Sequence, residues 1–219
     1  MQIILIGVAH VLDIEDRIRE ILERERPDAV AVELDPSRLY ALLNPEARGR
    51  GDLMSRVLSG MEERMADEYG VMPGSEMLAA YAYARDKNVP LYLIDKNISE
   101  IMNSIKSIGF RERTKLLFSG LTSSLIPKKR LEREMRELMD NYDSAIGEFR
   151  KSFPRLTKAL IDDRNEHMTR ELIRIGAEKV VAVVGDAHVE GLSKRLQEAG
   201  ADLTEVRLRD IMKKPADLT

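Results

Sequence analysis

The sequence predicts an α/β protein with a mostly parallel central sheet of about five strands, helices on both faces and a helical insertion between the third and fourth strands. Short apolar runs rich in β-branched residues alternate with long stretches of helical periodicity, as βαβ units require. Three of these runs are apolar at nearly every position, which is typical of strands that helices cover on both sides. The predicted strands are Gln2 to Ile6, Ala29 to Glu33, Pro90 to Ile94, Lys179 to Val184 and Leu203 to Leu208.

The segments between these strands are predicted to be helical. After the first strand, apolar residues recur at helical spacing at Ile14, Ile18, Ile21 and Leu22. Pro27 ends that helix before the second strand begins. Between the third and fourth strands, residues of about 97–176 are mostly helix formers and make up the insertion. We therefore predict a single domain over residues 1–219 that contains this insertion.

A highly charged helix inside the insertion carries an apolar stripe, which must be buried. The helix follows Pro127, and its apolar residues are Leu131, Met135, Leu138, Met139 and Tyr142. The stripe packs either on its own domain or on a second copy of the chain. Packing within one chain is the commoner role of such a stripe, and a homodimer is the alternative.

Composition excludes several kinds of partner and site. The chain has 35 basic and 38 acidic residues and a net charge of -3, so no global field attracts nucleic acid or an anionic membrane. Because cysteine is absent, any metal must be held by His, Asp or Glu. No run of about 18 uncharged apolar residues occurs, and the N-terminus lacks a basic leader. We therefore predict a cytoplasmic protein that binds no nucleic acid and has no membrane span in this chain.

Two of the predicted strands run into the same motif. The first leads into Gly7-Val8-Ala9-His10 and the fourth into Gly185-Asp186-Ala187-His188. Ligands of open α/β sheets bind just beyond the carboxyl ends of the strands, where glycine permits a close approach of the backbone. We therefore predict that His10 and His188 meet there as metal ligands or proton-transfer groups. The alternative for either histidine alone is a structural role at the edge of the core.

Carboxylates close two further strands. Glu33 ends the second predicted strand and Asp95 follows the third, and a carboxylate in such a place is unfavourable unless a partner or ligand meets it. Together with the two histidines, Glu33 would complete a set that suits a divalent cation with open coordination positions. The alternative for both acids is a capping or turn role, although Asp35 and Ser37 are better candidates for the cap of the next helix.

Three other polar residues are candidates of lower specificity. Glu76 opens a helix after a turn, where residue type alone indicates a structural role. Arg164 and Asn165 lie in a dense polar run within a helix, and an arginine there can clamp a carboxylate or polarise a carbonyl. Charged runs on helices are more often solvated faces. Because P-loop, dinucleotide-binding, serine-hydrolase and zincin signatures are missing, the remaining chemistry is metal-assisted or none.

Six short motifs follow one another along nearly the whole chain. They are Gly7-Val8-Ala9-His10, Val32-Glu33-Leu34-Asp35 with Arg38, Pro73-Gly74-Ser75-Glu76-Met77, Ile94-Asp95-Lys96-Asn97, Asp163-Arg164-Asn165 and Gly185-Asp186-Ala187-His188. In this order they resemble the TraB/PrgY pheromone-shutdown family, which is related to the GumN and Tiki proteins. Tiki relatives are regarded as metalloproteases and bacterial relatives suppress peptide pheromones, so the resemblance implies a peptidase-like, metal-dependent hydrolase.

Carried over position by position, the resemblance points to His10, Glu33, Arg164 and His188 as the central site, with Glu76, Asp95 and Asn165 around it. Our main hypothesis gives each of them a role. His10, His188 and Glu33 would hold a divalent cation such as manganese, zinc or cobalt, which activates water against a peptide carbonyl. Arg164 would stabilise the developing oxyanion, and Glu76 or Asp95 would move protons, with Asn165 beside them. These seven residues make up the predicted site. The rival interpretation is a non-catalytic module that binds a peptide or a small anion.

Two departures from the family pattern affect these expectations. Asp186 stands where a small residue is common, and it either adds a metal ligand or marks drift. Lys96 stands where an arginine is common. Relatives of archaeal type often continue into a membrane-spanning C-terminal region, so membrane association is expected if the natural protein extends beyond Thr219.

Overall fold

The structure is a computed structural model that describes residues 1–9, 14–44, 74–106, 109, 112 and 142–212. Contacts within the chain divide it into two compact units. The sheet unit comprises Met1–Ile98 and Asn165–Thr219, and the helical unit comprises Ser99–Arg164. The grouping of residues 1–219 into a single domain stays a prediction.

The sheet contains a strand in each of the five predicted apolar runs. The strands are β1 (Gln2–Val8), β2 (Ala29–Val32), β3 (Leu91–Leu93), β4 (Lys179–Gly185) and β5 (Asp202–Val206). They lie in the order β3-β2-β4-β1-β5, and every pairing between neighbours is parallel. The predicted α/β class is therefore confirmed.

Helices fill the connections between the strands. In chain order, those described are α1 (Glu15–Glu25), α2 (Pro36–Leu43), α3 (Ser75–Lys87), α4 (Ile98–Lys106), α5 (Tyr142–Ser152), α6 (Pro154–Thr157), α7 (Asp163–Ile175), α8 (Asp186–Glu198) and α9 (Leu208–Met212). A π-helical turn over Lys158–Asp162 precedes α7. The helices from α4 to α7 occupy the connection between β3 and β4, where the insertion was predicted.

The core of the sheet unit forms because the central strands are apolar on both faces. On one face, strand residues such as Leu5 and Ala182 pack with Met168 and Leu172 of α7 and with Leu192 of α8. In addition, α3 packs against β2, and α1 packs against α3. Burial of apolar surface on both faces fixes the register of the sheet, and the register fixes which residues lie at its carboxyl edge.

The first helix ends where the sequence predicts. Arg26 adopts a left-handed conformation with φ of 45°, and its N–H bonds the carbonyl of Leu22. Pro27 follows and cannot continue the helical hydrogen-bond pattern. The turn leads directly into β2, which completes the predicted βαβ unit between β1 and β2 around the intervening strand β4.

The helical unit has an apolar cluster of its own. Phe153 and Leu156 are buried and pack with Ile105, Phe149 and Leu160. The rings of Phe149 and Phe153 lie 5.2 Å apart between centroids at a tilt of 41°, an arrangement that aromatic pairs favour.

Two predictions about partners concern helices. The apolar stripe proposed over residues 131–142 lies outside the described residues, except for the backbone of Tyr142. In the part of the chain that the structure describes, no helix combines the length and the apolar character needed to cross a bilayer.

An ion pair joins α1 to the start of β4 and gives a testable pH dependence. Lys179 Nζ lies 2.8 Å from Glu25 Oε2 and also donates to the Glu25 carbonyl at 2.7 Å. The hydrogen bond from Lys179 lowers the pKa of the Glu25 carboxyl below its ordinary value of 4.5. A lowered carboxyl pKa contributes stability above the unfolded value, and this contribution is lost as the pH falls through the folded pKa.

We expect Glu25→Gln to lower the free energy of unfolding by about 1 kcal/mol at neutral pH. The difference in the free energy of unfolding between Glu25→Gln and the natural sequence should shrink as the pH falls below 4.5. Urea unfolding at a series of pH values measures it, with Glu20→Gln on the exposed face of the same helix as the control. A difference that is the same at every pH would contradict this role of Glu25.

Candidate functional site

Parallel pairing brings the carboxyl ends of three strands to one edge of the sheet unit. At the end of β1, Val8 pairs with Gly185 of β4. At the end of β2, Val32 pairs with Val183, and the N–H of Glu33 bonds the Val183 carbonyl at 3.0 Å. The residues that follow these strands therefore emerge side by side, where the sequence places its candidate site.

Glu33 and His188 are in contact at this edge. Glu33 Oε2 accepts a hydrogen bond of 2.6 Å from the N–H of Gly185, and its Oε1 lies 3.3 Å from His188 Nε2. The two side chains are only 4% and 5% exposed. The structure thus brings together two of the predicted site residues that lie 155 positions apart in the chain.

Asn165 fixes the orientation of the His188 ring. His188 Nδ1 lies 2.7 Å from Asn165 Oδ1 in a buried contact. Because an amide oxygen only accepts, Nδ1 is the protonated nitrogen, and Nε2 turns toward the carboxylate of Glu33. Two acceptors facing each other at 3.3 Å repel unless a proton or a cation lies between them. The pair can therefore hold a proton, as an ion pair, or a metal ion.

Gly191 makes room for Asn165, and sequence analysis did not identify it. A Cβ on Gly191 would lie 2.2 Å from Asn165 Nδ2, which is an impossible contact. Gly191 lies within α8, and glycine inside a helix costs about 1 kcal/mol relative to alanine. A glycine one turn after His188 was therefore an available signal of a close approach at this position.

Asp186 is engaged within the fold. Its Oδ1 accepts hydrogen bonds of 3.0 Å from Arg207 Nε and 3.0 Å from the Leu208 N–H, and its Oδ2 accepts one of 2.7 Å from Arg207 Nη2. A Cβ on Gly7 would lie 2.2 Å from Asp186 Oδ1. Asp186 therefore holds the segment after β5 close to the end of β1, and both of its oxygens are engaged within the fold.

Asp95 lies beside the main chain of Glu33, and Arg38 connects the two. Arg38 Nη1 donates to Asp95 Oδ2 at 3.1 Å and to the Glu33 carbonyl at 3.4 Å. Asp95 Oδ1 accepts from the N–H of Lys96 at 2.8 Å, and the Asp95 side chain is 0% exposed. Asp95 thus combines the predicted turn role with an ion pair. Arg38 lies within α2 and does not directly follow a strand, and the sequence alone assigned it no role.

Two further buried acids lie at the starts of helices. Asp35 is the N-cap of α2, and its carboxylate accepts a hydrogen bond of 2.8 Å from the Ser37 N–H. This confirms the cap that the sequence predicts at Asp35. Glu76 is fully buried in the first turn of α3, after the left-handed N-cap Gly74 with φ of 86°. Its position near a helix N-terminus favours a negative charge.

Two predicted site residues are not placed at this edge. His10 lies outside the described residues, and Ala9 is the last residue described after β1. Arg164 belongs to the helical unit and donates from Nη1 to the Leu160 carbonyl at 3.0 Å. Among the described residues, no group of three or more His, Cys, Asp or Glu side chains is arranged to hold a metal ion. The roles of His10 and Arg164 stay predictions.

Comparison with known proteins identifies relatives of the chain. The sequence model of the TraB/PrgY/gumN family matches residues 1–205. A protein of Methanocaldococcus jannaschii whose function is uncharacterized is 27% identical over 234 aligned residues, which cover 99% of this chain and 59% of the relative. The chain therefore spans about three fifths of the length of this curated relative.

Proposed function

The chain belongs to the TraB/PrgY/gumN family, and from this membership and the geometry of its strand-end site we propose that it is a metal-dependent hydrolase that acts on peptides. The observation that carries the proposal is the buried contact of Glu33 with His188, whose ring Asn165 orients. The peptide substrate class comes from the family resemblance alone. Pheromone suppression would be one use of such an activity.

The distances suit a shared metal ion. Ligand atoms that bind one cation at about 2.0–2.2 Å lie about 3.0–3.4 Å from each other in octahedral or tetrahedral coordination. Glu33 Oε1 and His188 Nε2 are 3.3 Å apart, within this range. Metal-bound histidines usually donate their other ring N–H to a carbonyl or carboxylate, and the Nδ1 contact with Asn165 is of this kind. We propose His10 as the third ligand, and manganese, zinc or cobalt as the cation.

A bound divalent cation would supply an activated water and polarise the carbonyl that is attacked. The residues of the chain would prepare this chemistry. The Gly185 N–H holds Glu33 Oε2, so Oε1 keeps a fixed direction toward His188. Burial of both side chains keeps bulk water away and strengthens the electrostatic interactions within the site.

The remaining predicted residues would act around this pair. We propose that Arg164 stabilises the oxyanion that develops on the attacked carbonyl. Both oxygens of Asp95 accept hydrogen bonds, from Arg38 and from Lys96, so Asp95 is better suited to holding Arg38 than to carrying a proton. We therefore favour Glu76 as the proton-transfer group.

A second candidate is a module that binds a peptide or small anion without chemistry. It is favoured by the closeness of Glu33 and His188, since a protonated His188 would satisfy this carboxylate without a cation. The two candidates differ in what stabilises the native state: a hydrolase of the proposed kind gains stability from a divalent cation, and a closed ion pair does not.

We expect manganese, zinc or cobalt at about a hundred times its dissociation constant to stabilise the native state by about 2.7 kcal/mol. For a chain of this size, the melting temperature should rise by about 5–10 °C. Thermal melts of the full chain with each cation measure this shift, and parallel incubation with peptides, analysed by mass spectrometry, measures cleavage.

His188→Ala should abolish the shift. His167→Ala is the matched control, because it removes an imidazole from the same protein away from the proposed ligand set. Equal melting temperatures with and without each cation, in protein that is folded, would contradict the metal site and support the binding module.

A further inference from the structure

Arg38 is held at one nitrogen, at the same edge as Glu33. Its Nη1 donates to the buried carboxylate of Asp95 at 3.1 Å and to the carbonyl of Glu33 at 3.4 Å. The Arg38 side chain is 30% exposed, whereas that of Asp95 is 0% exposed. The guanidinium is thus anchored by a carboxylate that solvent does not reach, on a side chain that is itself partly exposed.

The other side of the Arg38 guanidinium has the geometry of a carboxylate binder. Within the described part of the chain, its Nε and Nη2 make no hydrogen bond. These two N–H groups form the fork that matches the two oxygens of a carboxylate. Elsewhere in the protein, Arg207 uses this fork on Asp186, with Nε to Oδ1 at 3.0 Å and Nη2 to Oδ2 at 2.7 Å.

We propose that the Nε and Nη2 fork of Arg38 binds a carboxylate of the peptide ligand. This inference rests on the proposed function and narrows its substrate class to peptides that present a carboxylate beside the attacked bond. The carboxylate is either the C-terminal one or that of an acidic side chain, since both present the same two oxygens.

Charge and rigidity both favour this role. Glu33 and Asp95 place two buried carboxylates at this edge, so an anionic ligand there needs a cationic group to receive it. Because Asp95 already fixes the guanidinium, little side-chain entropy is lost when a ligand binds. Arg38 also contacts the main chain of Glu33 through Nη1, which fixes the guanidinium at the same edge of the sheet as a proposed metal ligand.

The test uses mixtures of synthetic hexapeptides of randomised sequence in three forms. One form has a free C-terminal carboxylate and no acidic residues, one is C-terminally amidated without acidic residues, and one is amidated with a single glutamate. Equilibrium dialysis against the full chain with manganese measures binding, and mass spectrometry measures cleavage separately. The amidated neutral form should bind about tenfold more weakly than at least one carboxylate form.

Two variants show whether the preference comes from the fork. Arg38→Lys keeps a positive charge for Asp95 but removes the fork, and it should abolish the tenfold preference. Lys96→Met removes one positive charge from the residue next to Asp95, and it should change the preference less than about twofold. Urea unfolding of both variants verifies that they are folded, and Arg19→Met, which breaks an exposed ion pair with Asp86, controls for loss of an arginine.

The outcomes separate this inference from the proposed function. Preference for the free C-terminus or for glutamate identifies the source of the carboxylate, and either supports the inference. An equal affinity for all three forms, an unchanged preference in Arg38→Lys, or an equal loss in Lys96→Met would overturn it. Cleavage without carboxylate preference would leave the hydrolase standing, and an Arg38-dependent preference without cleavage would leave only the anion site.

Discussion

Gly7→Ala is expected to lower the free energy of unfolding by about 3–5 kcal/mol. The new Cβ would lie 2.2 Å from Asp186 Oδ1 and 2.9 Å from Val189 Cγ2, so the buried carboxylate must move. Asp186 and Arg207 are only 8% and 15% exposed at their side chains. Separating them leaves charges without partners in a part of the protein that water hardly reaches, which is the source of the large expected loss.

Urea unfolding measures this effect, and Gly147→Ala is a control of opposite sign. Gly147 lies within α5, and a Cβ there would meet no atom within 4 Å. Alanine should therefore stabilise that helix by up to about 1 kcal/mol. A loss of less than about 1 kcal/mol in Gly7→Ala would mean that the segment of Asp186 and Arg207 adjusts freely, and that it does not fix the end of β1.

Asn165→Leu is expected to weaken divalent-cation binding by about 10–100-fold. Leucine removes the oxygen that accepts from His188 Nδ1 at 2.7 Å, so the ring is no longer held in the orientation and tautomer that direct Nε2 toward Glu33. Isothermal titration with manganese or zinc measures the affinity. Asn165 acts through His188 and is a positioning residue.

Thr169→Val is the matched control for Asn165→Leu. Thr169 is buried on the same helix and donates from its hydroxyl to the Asn165 carbonyl at 2.7 Å. The Thr169→Val variant therefore loses a buried hydrogen bond to Asn165, as Asn165→Leu does, but it leaves the contact with the His188 ring in place. If both variants weaken the cation equally, or if Asn165→Leu leaves the affinity unchanged, then the contact with Asn165 does not position a metal ligand.

The sheet could be predicted from the sequence because its signals are local. Each strand is a short apolar run, and parallel pairing places every strand end at one edge. The meeting of Glu33 with the second Gly-x-x-His motif follows from this rule alone, as does the capping of α2 by Asp35. The predicted bounds of the strands differ from the observed ones by one or two residues. The last strand, β5, lies at Asp202–Val206. Its prediction was less accurate because its partly exposed residues give a weaker apolar pattern.

The contacts that shape the site could not be predicted, because they join residues that only the packed structure brings together. The sequence left open whether Asp186 adds a metal ligand or marks drift, and it gave no sign that Arg207, after β5, holds this carboxylate. Arg38 stands in one of the motifs that carry the family resemblance, but its contact with Asp95 is visible only in the structure. Gly191 did carry a signal, yet its partner Asn165 comes from another helix.

Anomalous diffraction from crystals of the full chain soaked in manganese tests the central claim most directly. The claim is that Glu33 and His188 bind the same divalent cation. We predict a single strong anomalous peak about 2.0–2.2 Å from both Glu33 Oε1 and His188 Nε2. A peak bound elsewhere, or a direct Glu33–His188 contact that persists without a peak at saturating manganese, would contradict it.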